Sequence, residues 1–440
     1  MLDINYLREN LKKLKTAAKN KKIVIDWDQL LKLDDQRRKL IQEMDNLRNQ
    51  RNENANLLKD PKKRTSALIK EGRALKDKLA SLESKYNLLL AQFEEIMVKV
   101  PIIPSADTPI GKDENDNVEI FKWGKPPKFD FKPKTYIELA ENLDLLDLER
   151  GAKVSGYRGY YVKNEAVILQ MGLMMFALNK LIAKGFTPII PPTIVKEFVL
   201  FGSGYFNGKT YNPETDEIYK LANADKLSDG SIQKENKFLI GTAEPSLLAY
   251  YADEILEEKQ LPIKFAGFSQ CYRSEIGSYG KDTKGIYRVH EFMKVEQVCL
   301  TKADIAESDK IHLEMIEISK ELHQDLKLPY RILQICTGDM SAGKYKMFDI
   351  EAWIPSKNGY GETGSASNFL DWQSRRLNVR YKDSKKNKNF VHMINNTAIP
   401  SPRFLISILE NYQNKDGSIA VPEVLRPYLN NQDKIGPKEK

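Results

Sequence analysis

The residues best suited to chemistry lie in the segment 268–296, whose sequence is FSQCYRSEIGSYGKDTKGIYRVHEFMKVE. Arg273 and Glu275 are two residues apart, so a strand would present both side chains on one face. An arginine on a rigid strand suits a phosphate, because its planar guanidinium offers paired donors. The loop at 277–285 is rich in glycine and lysine and could close over a polyphosphate or a nucleic-acid end. A charged surface hairpin would show the same spacing, so this segment alone leaves both interpretations open.

Two smaller clusters carry oxygen-bearing side chains. The segment 361–368, GETGSASN, sets a carboxylate beside hydroxyls. That chemistry suits Mg²⁺ and phosphate oxygens, but a turn capped by Ser and Thr has the same composition. The segment 241–245, GTAEP, could grip a small polar substrate or cap the helix that follows it. The four histidines are scattered, so the sequence predicts neither a histidine-rich metal site nor a Ser-His-Asp triad.

After about Lys134 the sequence has the composition of a mixed α/β domain. The helices and strands of this domain must position the residues described above. Helical and strand patterns do not alternate strictly, and 265–299 has the pattern of a long hairpin, which favours an antiparallel sheet. The predicted helices are 165–184, 245–259, 303–325 and 403–412. The predicted strands are 187–190, 237–240, 265–272, 286–299, 330–336, 347–354 and 418–421.

Residues 27–100 have the pattern of two long helices. The second carries an a/d heptad repeat formed by Leu68, Leu75, Leu79, Leu82, Tyr86, Leu89, Phe93 and Ile96. The pair Asp60-Pro61 breaks the pattern, because proline stops a helix. Two helices of about 30 residues would form an antiparallel hairpin about 45 Å long. An oligomerisation coiled coil with a solvated charged surface is the alternative.

The net charge of +8 arises entirely from the first quarter of the chain, since residues 1–100 hold 23 basic and 15 acidic residues. A basic appendage on a neutral body favours a polyanionic partner. The three cysteines are widely spaced, which disfavours a disulfide scaffold and favours a reducing cytoplasm. The first ten residues lack the apolar core of a secretory signal, and the longest apolar stretch, 166–178, is too short to span a bilayer. We therefore expect a cytoplasmic protein without a membrane partner.

Taken in order, these segments resemble the seryl-tRNA synthetases, a family of class II aminoacyl-tRNA synthetases. The resemblance begins at MLDINYLREN, continues through LLDLERGAKVSGYRGYYV, and includes GFTPIIPP as motif 1. TAEPSL follows, and then CYRSEIGS…RVHEFMKVE as motif 2. TGDMSAGKYKMFDIEAWIP, ETGSASNFLDWQSRRLNVRY and FLISILENYQNKDGSIAVPEVLRPYL complete it. It covers nearly the whole chain, and motif 2 and the C-terminal block are the specific parts.

The resemblance implies an α+β fold with two domains. An N-terminal antiparallel coiled-coil arm at 1–105 would bind tRNA, and a class II catalytic domain at 106–440 would be built on an antiparallel sheet flanked by helices, with a linker at about 101–133. It also implies a homodimer joined through motif 1. The arm would contact the long variable arm and elbow of tRNA(Ser), and charging of tRNA(Sec) stays open. Its candidate RNA-binding residues are Arg37, Arg38, Arg48, Arg51, Lys62, Lys63 and Arg64.

The implied activity is that of an ATP-dependent serine–tRNA ligase, which forms seryl-adenylate from L-serine and ATP and then transfers the seryl group to the 3′ end of tRNA. The implied catalytic residues are Arg273, Glu275 and Arg403. The implied serine-binding residues are Thr242, Ala243, Glu244, Arg273, Glu296 and Thr397. The implied ATP-binding residues are Arg273, Ser274, Glu275, Arg288, Val289, Phe292, Glu362, Thr363, Gly364, Ser365 and Arg403. Of these, Glu362 and Ser365 match the positions that bind Mg²⁺.

The chain departs from the family pattern at a few positions. Thr397 and Pro402 stand where serine and glycine are common in motif 3. Lys281 and Lys284 replace common arginines in the motif 2 loop, which keeps the charge but loses bidentate geometry. Ala366 stands where the family often has cysteine, so we expect no zinc.

Two alternatives stay open at this stage. An amino acid:carrier protein ligase would share the motifs but is expected to lack the arm. A coiled-coil nucleic-acid-binding protein without catalysis would not need Arg273, Glu275, Glu362 and Arg403 together.

Overall fold

The computed structural model describes residues 1–206, 208–222, 226, 228–233, 235–276 and 284–437. They divide into two units by their internal contacts. The helical unit is Ile23–Val100, and the sheet unit joins Met1–Lys22 to Pro101–Lys440. The predicted arm spans 1–105, whereas this division sets the first 22 residues in the same unit as the sheet.

The described residues form the following regular elements. The helices are α1 (Ile4–Glu9), α2 (Leu11–Asn20), α3 (Trp27–Leu58), α4 (Ser66–Met97), α5 (Tyr136–Asn142), α6 (Leu148–Ser155), α7 (Glu165–Ala183), α8 (Glu197–Ser203), α9 (Glu244–Leu248), α10 (Ile305–Asp325), α11 (Trp372–Leu377) and α12 (Ser401–Asn411). The strands are β1 (Val118–Trp123), β2 (Leu146–Asp147), β3 (Tyr161–Val162), β4 (Thr187–Ile189), β5 (Ile194–Lys196), β6 (Lys237–Leu239), β7 (Ile255–Glu257), β8 (Ile263–Tyr272), β9 (Glu291–Thr301), β10 (Tyr330–Gln334), β11 (Lys346–Ile354), β12 (Gly359–Asn368), β13 (Arg380–Lys382), β14 (Lys388–Phe390), β15 (His392–Pro400), β16 (Ile419–Ala420) and β17 (Lys434–Ile435).

The helical unit is the predicted antiparallel hairpin of α3 and α4. Each helix has 32 residues, which corresponds to about 48 Å. Asp26 accepts the backbone N–H of Gln29 at the start of α3, and Thr65 accepts that of Leu68 at the start of α4. These side chains satisfy amide groups that a helix end leaves without partners.

Contacts between α3 and α4 establish their antiparallel direction. Arg48 pairs with Glu83 at 3.1 Å, and further along α3 the amide of Asn54 donates to the carbonyl of Leu68 at 3.2 Å. Asn54 is a buried polar residue in the seam. The apolar contact between the helices is formed by Met44, Leu47 and Leu79, with Ile41, Leu75, Leu82 and Tyr86 packed around them.

The sheet unit is built on an eight-stranded sheet in the order β1-β10-β11-β12-β15-β9-β8-β4. Neighbouring strands are antiparallel except for the edge pair β4 and β8. The predicted long hairpin is β8 and β9, which pair from Ile263 opposite Leu300 to Tyr272 opposite Glu291. The prediction of an antiparallel sheet flanked by helices is therefore confirmed.

Helices α7, α10 and α12 pack against this sheet through one apolar core. Leu173, Met315 and Phe404 are fully buried members of it, one from each helix. Burial of each such side chain is worth about 1.5–3 kcal/mol. Helix α7 is long and apolar enough to cross a membrane by length and composition alone, and half of its most apolar window is buried within the protein.

Several local predictions differ from the structure. The helix predicted at 245–259 ends at Leu248, where a 3-10 turn at Ala249–Tyr251 and the left-handed backbone of Asp253 lead into β7. Strands β12 and β15 were not predicted; in β12 the reason is that Gly, Ser, Thr and Asn dominate the sequence. The linker segment 101–133 contributes β1, which pairs with β10 at the sheet edge.

A buried lysine fastens the first residues of the chain to the sheet unit. The Lys21 ammonium donates to the carbonyls of Ser341, Ala342 and Lys344 at 3.2, 3.1 and 2.6 Å. Burial lowers the pKa of Lys21 well below its usual range. The three carbonyl dipoles compensate for part of the desolvation of this charge.

We expect Lys21→Met to lower the free energy of unfolding by at least about 2 kcal/mol, because the three carbonyls lose their shared donor. Amide hydrogen exchange across α1 and α2, together with urea unfolding, measures the effect. Lys19→Met alters an exposed lysine nearby and should leave both readouts near the wild-type values. Equal behaviour of the two variants would contradict the anchoring role.

Candidate active site

An open cavity of about 500 Å³ lies where β8, β9, β12 and β15 meet the start of α12. Charged residues of both signs dominate its wall. The lining residues are Arg273, Glu275, Tyr287, Arg288, Val289, Phe292, Lys294, Glu362, Thr363, Gly364, Thr397, Pro400, Pro402 and Arg403. Most of the predicted ATP-binding residues are therefore brought together in one site.

Arg273 follows the last residue of β8 and is held from two sides. Its backbone N–H donates to the carbonyl of His290 at 2.9 Å, and its Nε donates to the carbonyl of Gly241 at 3.2 Å. The guanidinium lies 5.6 Å from the ring centroid of Phe292 on β9. The strand hairpin and the 241–245 segment thus fix the direction in which this arginine presents its remaining donors.

Glu275 lies at the rim of the same cavity in a left-handed backbone conformation, with φ of 54°. Its carboxylate is 3.4 Å from Arg288 and 3.6 Å from Arg158. Arg158 is itself buried and left-handed, with φ of 66°. Such conformations cost about 1 kcal/mol or more for residues other than glycine, and they concentrate at functional sites.

Arg403 on α12 approaches the cavity from the opposite side. Its Nη1 lies 3.0 Å from both the backbone carbonyl and the side-chain Oε2 of Glu362 on β12. The guanidinium is 4.9 Å from the ring centroid of Tyr287. Burial raises the pKa of Glu362, but the charges of Arg403, Arg273 and Arg288 outweigh it, so the net shift is downward.

A second carboxylate stands behind Glu362. Asp349 on β11 is opposite Ser365 on β12. Burial and the neighbouring Glu362 raise the pKa of Asp349 well above its usual range. Its Oδ1 is buried and accepts no hydrogen bond from the described residues. Hard oxygen atoms in this arrangement fit Mg²⁺, although no group of three or more His, Cys, Asp and Glu side chains with metal-site spacing occurs in the described part of the chain.

A buried polar cluster adjoins the cavity where β9 and β15 pair. Glu296 and Thr397 are opposite each other, and the Thr397 hydroxyl donates to Glu296 Oε2 at 3.1 Å. Lys294 lies 2.6 Å from the same carboxylate oxygen. The side chains of Lys294 and Glu296 are only 6% and 2% exposed, so the pair is almost fully desolvated.

Glu244 is buried near this cluster, at the start of α9. Gln373 donates to its Oε1 at 2.8 Å, and Asn395 and Tyr205 donate to its Oε2 at 2.5 and 3.3 Å. Burial and, to a smaller extent, the nearby Glu296 raise the pKa of Glu244 to about 7, a net shift that the Gln373 hydrogen bond partly opposes. Three neutral groups thus donate hydrogen bonds to a carboxylate whose pKa is near neutral pH.

Some predicted site residues lie outside the cavity wall. Thr242, Ala243 and Glu244 are buried next to it, behind Arg273. The backbone N–H of Ser274 faces the carbonyl of Glu217, and Ser274 lines a separate surface depression with Tyr219 and Ile276. The motif 2 loop at 277–283, including Lys281, lies outside the described residues.

Several site residues were not predicted from the sequence. They are Arg158, Tyr205, Tyr287, Lys294, Asp349, Gln373 and Asn395. Lys294 was within reach of sequence reasoning, because it shares the period-two face of β9 with Phe292 and Glu296. Tyr287 lies in the same segment, next to Arg288, but its contact with Arg403 has no local signal. The other five come from segments outside 268–296 and carry no local pattern that marks them.

The basic residues predicted on the helical unit are mainly at its surface. Arg48 pairs with Asp45 and Glu83 at 3.1 Å, and Lys63 lies 3.8 Å from Asp60. Arg37 pairs with Asp34 at 2.7 Å. The exposed Arg48–Glu83 pair is worth about 0–1 kcal/mol, whereas Asp34, the partner of Arg37, is fully buried.

Comparison with protein families identifies both parts of the chain. The seryl-tRNA synthetase N-terminal domain matches residues 1–104. The tRNA synthetase class II core domain (G, H, P, S and T) matches residues 226–412.

Full-length relatives give the same result. The chain is 44% identical to a serine–tRNA ligase of Borrelia garinii subsp. bavariensis, with 97% of this chain and 98% of that protein covered. It is 40% identical to a serine–tRNA ligase of Treponema denticola, at 99% and 100% coverage. The crystal structure of the Pyrococcus horikoshii seryl-tRNA synthetase, complexed with ATP, superposes with a TM-score of 0.85 at 38% identity, and both chains are covered completely. The chain therefore belongs to the seryl-tRNA synthetase family.

Proposed function

We propose that this protein is a serine–tRNA ligase that activates L-serine with ATP and transfers the seryl group to tRNA(Ser). The observation that carries the proposal is one cavity in which three arginines, Arg273, Arg288 and Arg403, adjoin the buried Glu296–Thr397 pair. Guanidinium groups suit a polyphosphate, and a buried carboxylate with a hydroxyl suits an amino acid that has an ammonium and a hydroxyl. The N-terminal domain match favours tRNA over a carrier protein as acceptor. The relatives of this chain share that function by name.

The first step requires little covalent participation by the protein. A serine carboxylate oxygen attacks the α-phosphorus of ATP, the bond to the bridging oxygen breaks, and pyrophosphate leaves with its electron pair. Arg273 would neutralise the α-phosphate and hold the reacting carboxylate, while Arg288 and Arg403 would hold the β- and γ-phosphates. Pre-positioned charge in a partly desolvated site supplies the rate enhancement.

The adenine would be recognised at the rim of the cavity. Phe292 would stack on the ring, and Glu275 would accept a hydrogen bond from its amino group. The two arginines beside Glu275, Arg288 and Arg158, would fix the direction of this carboxylate. This acceptor role would account for the strained backbone conformation of Glu275.

Mg²⁺ would be held by Glu362, Ser365 and Asp349, and it would neutralise charge on the phosphate oxygens. The buried Asp349 Oδ1 supports this assignment, because an acceptor without a donor favours a cation. Asp349 adds to the two ligands, Glu362 and Ser365, that were expected from the sequence.

Serine would lie between Glu296, Thr397 and the 242–244 segment. Glu296 and Glu244 would face the ammonium, and Thr397 would reach the hydroxyl. Alanine would leave a buried polar group without a partner, and sites of this kind reject such analogues by about 10⁴-fold. In the second step a ribose hydroxyl at the 3′ end of tRNA attacks the acyl carbon, and AMP leaves.

Three further assignments belong to the same proposal. The α3–α4 hairpin would bind the long variable arm and elbow of tRNA(Ser). The enzyme would act as a homodimer joined through motif 1, and it would work in the cytoplasm.

Serine-dependent pyrophosphate–ATP exchange should occur without tRNA, and Arg273→Ala should reduce it by about 10³-fold, because removal of one such donor costs 10²–10³ or more. Radiolabel incorporation into ATP measures both results. Arg150→Ala, at an exposed guanidinium on α6, is the matched control and should exchange normally. Exchange with a different amino acid in place of serine would refute the substrate assignment.

The kcat/KM for serine should fall about tenfold between pH 8 and pH 6. This parameter reports ionisation in the free enzyme, where protonation of Glu244 near pH 7 removes the charge that faces the ammonium. Gln373→Leu removes a hydrogen bond that lowers this pKa, so it should move the midpoint to higher pH. A midpoint near 4.5 in both proteins would contradict the role given to Glu244.

Deletion of residues 35–95 should spare serine-dependent exchange and severely reduce seryl transfer to tRNA. The deleted segment lies within the helical unit, whereas the cavity residues all lie in the sheet unit. Exchange activity therefore also reports that the remaining unit is folded. Normal charging of tRNA by the deletion variant would show that the hairpin is not the tRNA-binding element.

A further inference from the structure

Most of the excess positive charge is not on the hairpin. Residues 1–22 hold seven basic and two acidic residues, whereas residues 23–100 hold 16 basic and 13 acidic residues. The first segment thus contributes five of the eight net charges. It belongs to the sheet unit, which also contains the cavity.

Helix α2 concentrates this charge on one exposed face. Leu14, Ala17 and Ala18 form its buried side. Lys12, Lys15 and Lys19 are exposed and follow one another at intervals of three and four residues. That spacing aligns them along one face over about 10 Å, where they line a shallow groove.

The amino-acid composition of α2 destabilises this helix. Asn10 at its N-terminus makes no side-chain capping bond, and the first turn contains no acidic residue but has Lys12. Positive charge there opposes the helix dipole, and like charges three and four residues apart repel by about 0.2–0.5 kcal/mol per pair. By contrast, α1, α3 and α10 each begin at an aspartate whose side chain accepts backbone N–H groups.

No carboxylate in the described part of the chain compensates for these lysines through an ion pair. The helix is nevertheless held in place by its buried face and by the three hydrogen bonds of Lys21 at its C-terminal end. The lysines of this face lie where the helix dipole and their mutual repulsion disfavour them. A firmly held surface with such disfavoured residues indicates a function. The missing negative charge would come from a partner.

We propose that the Lys12–Lys15–Lys19 face of α2 is a second tRNA-binding surface, which contacts the phosphate backbone separately from the α3–α4 hairpin. This inference rests on the proposed serine–tRNA ligase function, which supplies the polyanion. Nucleic-acid backbones carry a phosphate every few ångströms, so a 10 Å row of lysines meets several of them. The contact is independent of base sequence and positions the acceptor substrate.

The test is the triple variant Lys12→Gln/Lys15→Gln/Lys19→Gln in the full-length protein. We expect its tRNA(Ser) affinity to fall about tenfold at 100 mM salt, and the slope of log affinity against log salt to decrease by about two to three. Serine-dependent exchange without tRNA should be unchanged, because these lysines lie outside the cavity wall. The corresponding arginine triple variant keeps the charge and should restore affinity.

The control variant Lys385→Gln/Lys386→Gln/Lys388→Gln removes the same charge from another exposed part of the sheet unit. It should alter affinity and salt slope much less. Equal effects of the two triple variants, or no effect of the α2 variant on tRNA binding, would overturn the inference. Failure of wild-type exchange with serine would instead refute the proposed function, so the two failures are distinguishable.

Discussion

The carboxylate of Glu296 is almost entirely removed from water, and a buried ion costs several kcal/mol unless partners compensate for it. Lys294 on the same strand and Thr397 on the neighbouring strand provide that compensation. The same constraint governs the other charges around the cavity, which are also paired. Glu362 with Arg403 and Glu275 with Arg288 are the two clearest cases.

This pairing depends on the register of the large sheet. A slip of one residue between β9 and β15 would turn Thr397 to the opposite face and leave Glu296 without its hydroxyl donor. The antiparallel arrangement also brings β12 beside β15, so that Glu362 reaches the arginine at the start of α12. Apolar packing of α7, α10 and α12 keeps these strands together. The fold therefore stabilises charged side chains that, in other arrangements, would repel one another or be buried without a partner.

Much of this could be predicted from the sequence, and the failures have physical causes. Arg273, Glu275, Phe292 and Glu296 were found because one hairpin segment carries them all. The reason given for Arg273 and Glu275 was wrong, because β8 ends at Tyr272 and Glu275 has a left-handed backbone instead of a strand conformation. Strand β12 was missed because Gly, Ser and Asn have low strand propensity, which burial within the sheet overrides. Strand β15 was missed because it is buried along almost its whole length, so its sequence lacks the alternation of apolar and polar residues that marks a half-buried strand. Asp349 was missed because its significance depends on a carboxylate in another strand, which no local pattern reveals.

The charge distribution shows a similar limit of prediction from the sequence. Composition located the excess charge in the first 100 residues, and the heptads led to its assignment to the hairpin. Contacts within the fold divide that segment at residue 22 and give the larger share of the charge to the sheet unit. Sequence position alone could not reveal this, because the buried bonds of Lys21 involve residues more than 300 positions away.

The buried Asn54 in the hairpin has a further effect. Its amide group bonds the carbonyl of Leu68 and the carboxylate of Glu71, and these bonds exist in one register of α3 against α4. A slip of one heptad would move the helices by about 10 Å and leave a polar group among apolar side chains. The hairpin is thus a spacer of fixed length, because Asn54 fixes the position of one helix along the other.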